Sequence, residues 1–192
     1  MRFSDKATWT INLDSSSDVI FALYVRDALN ITSPTANSVP PLDPAVTDRE
    51  VSASPGVEIQ WDEWWTSITG LRLAPGKNAL VPIEPPTALE DEIRRLRPDY
   101  SQWAADLRTK EAQAGQSHTR DIIPFREVVN QVQQELERDD LDFTLSIQEI
   151  PVEGQYWHRV ATDTVMASSA LLRSETAVTK LQALIRELAA QG

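Results

Sequence analysis

Cysteine is absent from the 192 residues, which removes disulfide frameworks, thiolate nucleophiles, iron–sulfur clusters and Cys-based zinc sites together. Histidine is confined to two positions and glycine to six. The glycines never fall into G-x-G-x-x-G or G-x-x-x-x-G-K-[ST] spacing, so the backbone cradles that nucleotide phosphates require are missing. There is no G-x-S-x-G elbow and no H-E-x-x-H helix. Positive charge is also scarce: 18 Lys+Arg stand against 29 Asp+Glu, a formal charge of −11. Such a chain offers no clustered cations to nucleic acid or to an anionic membrane surface. The longest apolar run, residues 19–25, is far short of the roughly eighteen residues of a membrane span. At the start, Met1, Arg2 and Phe3 give way to Ser4, Asp5 and Lys6 before an apolar signal core can form. The expectation is a cytoplasmic protein with no nucleic-acid or membrane partner, no cofactor and no bound metal.

What is present suits one folded domain over residues 1–192: the hydrophobic share is 41% and the charged share 24%. Ten of the twelve prolines fall between Pro34 and Pro98, and they mark loops near 32–56 and 74–86, where turn formers mix with small polar residues and no period is sustained.

Around these loops the periodicity is readable. Trp9, Ile11 and Leu13 alternate with Thr8, Thr10 and Asn12, which predicts a half-buried strand near 7–13. Ser15, Ser16, Ser17 and Asp18 offer caps for a helix from Val19 to about Asn30. Thr87 with Glu90 forms a capping box for a helix with Leu89, Ile93 and Leu96 on one face, closed by Pro98. A second helix from Asp99 repeats Tyr100, Trp103, Ala104 and Leu107 and ends at Gly115. Pro124 opens another, lined by Phe125, Val128, Val129, Val132 and Leu136 and running to Arg138. The period then drops to two: Leu141, Phe143, Leu145 and Ile147 predict a strand over 141–150, Pro151 to Gly154 a turn, and residues 156–167 the return strand of a hairpin. Ser174 and Glu175 begin a last helix with Val178, Leu181, Leu184, Ile185 and Leu188 on one face. The fold class expected is α+β, a small antiparallel sheet with about six helices on one face, the other being left to the strands' polar residues.

Chemistry is harder to find. His118 lies in a polar loop and reads as a solvated histidine; His158 lies in a strand and reads as a surface or hydrogen-bonded one. Glu135, Glu137, Asp139, Asp140 and Asp142 crowd together where a helix yields to a strand. Without an EF-hand glycine and its terminal Glu, the run reads as an exposed turn. Arg94, Arg95 and Arg97 follow Glu90, Asp91 and Glu92 at pairing distances along a helix.

Tryptophan is the unusual component. Six of thirteen aromatics are Trp, and on a helix Trp61, Trp64 and Trp65 share a broad face with Val57 and Ile68. That face packs on the protein's own core or meets a partner, since Trp is enriched at binding hot spots. As a partner-binding set, Trp61 and Trp65 should behave as core and Trp64, at the margin, as the contact residue. The function expected is therefore an acidic protein-binding or regulatory module, binding another protein or a second copy of itself. The alternative is a cofactor-independent hydrolase or lyase whose Asp, Glu, Ser or Tyr groups are assembled only by the fold.

Overall fold

The computed structural model describes residues 9–46, 56–72, 87–117 and 123–190. The order is β1 (Thr10–Asp14), α1 (Ser17–Ala28), α2 (Val57–Arg72), α3 (Thr87–Ser117), α4 (Phe125–Leu136), β2 (Thr144–Ile150), β3 (Trp157–Ala161), β4 (Thr164–Ser168), α5 (Ser169–Leu172) and α6 (Glu175–Ala189), with a 3-10 turn at Ala36–Ser38. This is an α+β arrangement, with a single four-stranded sheet ordered β1-β2-β4-β3 among the described residues.

The sheet is mixed, not antiparallel. β1 runs parallel to β2 and β2 parallel to β4; only β3 and β4 are antiparallel. The expected return strand over 156–167 is two strands, because the chain turns at Thr162 and Asp163 and folds back on itself. The Asp163 carbonyl accepts the Ser146 N–H at 2.8 Å, which seats β4 against β2. A single twelve-residue partner would overhang the seven-residue β2; the internal turn instead buries β4 at all five positions.

Helices cover both faces of the sheet's centre, not one. Leu145, Ile147, Val165 and Ala167 join α4, α5 and α6 in one hydrophobic cluster. The alternate positions Ile150 and Met166 join α1, α2 and α3 in another. The polar residues on that second face, Gln148, Thr164 and Ser168, are consequently buried. Ser168 is fully satisfied there: its hydroxyl donates to the Gly154 carbonyl and accepts the N–H groups of Tyr156 and Leu171, at 2.8, 2.9 and 3.2 Å.

α3 is one helix of 31 residues with Pro98 inside it, where two helices were expected. A proline costs one backbone hydrogen bond and crowds the preceding turn, yet Leu89, Ile93, Leu96, Tyr100 and Trp103 keep a single helical stripe across it. All five pack on the α1–α2 cluster, and that continuous burial holds the helix through the break. Gln60 of α2 receives the Leu89 N–H at 3.0 Å, so a neighbouring helix caps one of α3's first-turn donors. The Thr87 side chain expected to cap it lies outside the described residues. α4 ends at Leu136, two residues short of Arg138, because Glu137 turns left-handed at φ 52° and the Arg138 N–H closes back on the Gln133 carbonyl at 3.0 Å.

Of the loop expected over 32–56, residues 32–46 are tied down, continuing from the buried Ile31. Ile31, Ser33, Ala36, Val39 and Leu42 are buried. Residues 41–43 pair with residues 151–153, through Asp43 N–H to the Pro151 carbonyl at 2.9 Å and Glu153 N–H to the Pro41 carbonyl at 2.8 Å. Residues 47–55 and the expected loop at 74–86 lie outside the described residues.

Candidate functional site

The helix α2 presents Val57, Trp61, Trp64, Trp65 and Ile68 on one face, as their spacing requires, and all five are buried. Trp61 is fully enclosed, its ring stacked on Trp65 with centroids 5.4 Å apart and its Nε1–H donating to the Ala22 carbonyl at 2.8 Å. Trp64, expected at the margin, is as buried as Trp65 and meets Phe21 edge-on at 6.1 Å. Tyr100 bridges Phe21 and Tyr24, at 4.6 and 5.4 Å, and Trp103 of α3 donates its Nε1–H to the Pro44 carbonyl at 3.1 Å. The three tryptophans thus form an interior layer and present no open surface.

Against this layer lies an ion pair that the sequence reading passed over. Arg26 is buried; its Nε donates to Asp27 at 2.6 Å, and its remaining nitrogens reach the carbonyls of Ala36, Val39 and Pro40 at 3.0, 2.6 and 2.8 Å. The other Asp27 oxygen accepts the Leu42 N–H at 2.8 Å. Ser33 adds a bond to Asp62 of α2 at 2.6 Å. Arg26 lies at i, i+4, i+7 spacing from Val19 and Leu23, directly after the apolar run of residues 19–25, so the helical period places it on a buried side. Every acceptor is on the chain itself, so this cluster is a structural clamp with no vacancy for a substrate.

The other candidates do not converge. His158 is exposed and stacks on Tyr156, ring centroids 6.3 Å apart; His118 lies outside the described residues. Within the acidic run, Glu135 pairs with Arg186 and Arg138 with Asp140. No group of three His, Asp or Glu side chains suited to a metal ion occurs among the described residues. Arg94 pairs with Glu90 and Asp91, and Arg95 with Glu92. Burial pushes the Tyr156 hydroxyl up to about 12 against the opposing pull of Arg26.

Glu111, on the largely exposed later part of α3, has its carboxyl raised above 4.5, first by partial burial and then by Glu149, with Arg173 opposing. A carboxyl raised in the fold favours the protonated folded form. Its contribution to stability is complete below the unfolded value and is lost as pH rises through the folded one. The Glu111→Gln variant should therefore melt higher than its parent at about pH 7 and no higher at about pH 3.5, which thermal melts across that range will check.

The sheet's two edges differ in a way that matters for recognition. β3 is blunted: its register shifts between Arg159 and Ala161, and Arg159 folds back onto the Ala161 and Thr162 carbonyls and pairs with Glu187. Such bulges and charged side chains protect an edge from further pairing. β1 carries no such bulge, and its one charged side chain is Asp14 at its end. Thr10 donates to the Phe143 carbonyl at 2.9 Å, and a parallel ladder alternates. Thr10, Asn12 and Asp14 therefore turn their backbone groups to β2, while Ile11 and Leu13 turn theirs to the side on which no described strand pairs. Leu13 is 40% exposed, and Thr10, Asn12 and Asp14 lie exposed on the other face.

No protein family, curated protein or solved structure matches this chain. No described helix is long and apolar enough to cross a membrane.

Proposed function

We propose that this protein is an acidic protein-binding module that takes an extended segment of its partner as an added strand along β1. The observation that supports this reading is the side of β1 on which no described strand pairs, where Ile11 and Leu13 hold outward backbone donors and acceptors beside an exposed apolar side chain. Such an edge is a template: main-chain bonds supply affinity and alternate side chains supply selectivity. Trp61, Trp64 and Trp65, where the sequence suggested a partner surface, are buried, so the proposal turns to this edge.

Proline separates the two sides of the strand. Leu13→Pro removes an N–H that faces outward, and proline is tolerated at such edge positions; its denaturation midpoint should stay near the parent's. Asn12→Pro removes an N–H that the ladder uses and should cost roughly 1–3 kcal/mol. An uncharged peptide alternating Val with Ser should shift the amide resonances of Ile11 and Leu13 in the parent and leave the Ile11 amide of Leu13→Pro, which has no N–H at position 13, unmoved. Equal response of the two proteins would refute strand addition at β1.

A further inference from the structure

The chemistry of the segment that β1 receives can be read from the two pieces of chain that build the edge. Residues 9–18 contain Asp14 and Asp18, and residues 139–150 contain Asp139, Asp140, Asp142 and Glu149; neither stretch holds a single Lys or Arg. The register distributes these acids around the strand. Asp142 directly precedes the Phe143 carbonyl that Thr10 reaches, with Asp139 and Asp140 just before it, while Asp14 ends β1 and Asp18 lies in the first turn of α1. The cations that flank these stretches in the sequence are Lys6 and Arg138; Arg138 pairs with Asp140 and reaches the Ala189 carbonyl, and Glu149 acts on Glu111.

Resting on the strand-addition reading, we infer that the partner segment is basic, an extended stretch in which Lys or Arg alternates with apolar residues. Its apolar side chains would lie beside Leu13, and its cations would reach the acids at the two ends of β1. A second copy of this chain is disfavoured as the occupant, because pairing β1 with β1 would set the same acids against one another.

Three capped ten-residue peptides test this, alternating Val with Lys, with Ser or with Glu, titrated into the full chain and followed at the Ile11 and Leu13 amides. The Lys peptide should bind roughly tenfold or more tighter than the Ser peptide at low salt, since several exposed ion pairs each add a little. The Glu peptide should bind weakest, and the spread should close near 1 M salt, where the screening length falls to about 3 Å. Asp14→Asn with Asp142→Asn should remove most of the advantage of Lys over Ser. Equal binding of all three peptides, abolished by Leu13→Pro, would overturn the basic partner and leave strand addition standing. Binding of the Lys peptide that ignores Leu13→Pro, or no response to any peptide, would overturn both. A dimer in light scattering that Leu13→Pro dissolves would assign the edge to a second copy and overturn the basic partner alone.

Discussion

Replacing Arg26 with alanine is expected to destabilise the protein by about 3–5 kcal/mol, the range found when one member of a buried charged pair is removed. The loss has two sources. Asp27 keeps only the Leu42 N–H, and the carbonyls of Ala36, Val39 and Pro40 lose the guanidinium that satisfied them in the interior. Lysine should not restore stability, because one ammonium cannot span acceptors that the planar guanidinium fork reaches from separate nitrogens. Denaturant melts of R26A and R26K will measure the effect. Limited proteolysis gives an independent reading: both variants should become cleavable within residues 31–46, where the parent resists. Parental stability of R26A would mean that the clamp contributes nothing net.

Trp61→Ala should cost a similar amount, about 3–5 kcal/mol, as expected for emptying a fully buried tryptophan site. Its ring supports Trp65 by stacking, and its N–H satisfies a carbonyl of α1. Trp61→Phe separates these roles by keeping most of the ring volume and deleting the donor, and it should retain a large part of the stability. Trp64→Ala and Trp65→Ala should also destabilise, since all three residues are interior. A midpoint and slope equal to the parent's in all three alanine variants would contradict the buried layer.

Helical spacing was the most legible signal in the sequence. Val57, Trp61, Trp64, Trp65 and Ile68 were placed on one face, and one face is what is buried. The same rule overrode a local one in α3, where the stripe through Leu96 and Tyr100 outweighs the break expected at Pro98. Strand patterns carried less. Alternation at β2 predicted a strand correctly, but it also led the strands' polar residues to be read as an uncovered face. Alternation reports only that two faces differ in polarity; Gln148, Thr164 and Ser168 are polar and buried because helices arrive from a distant part of the chain. The parallel pairing of β1 with β2 depends on a partner that no local window contains. The β1 edge, unpaired among the described strands, was illegible for the same reason, since the side of a strand left unpaired is decided by the whole topology.

That topology also has a consequence in time. β1 finds its mate across a separation of 134 positions, from Thr10 to Thr144. At a synthesis rate of roughly 5–20 residues per second, the nascent strand waits on the order of ten seconds before β2 leaves the ribosome. The contacts of α1 with α2, and of α2 with α3, are nearer in sequence and close sooner, whereas such distant strand pairing is intrinsically slow. During this interval both sides of β1 are unsatisfied, and the acids of residues 9–18 are the local feature that keeps neighbouring nascent chains from annealing to it.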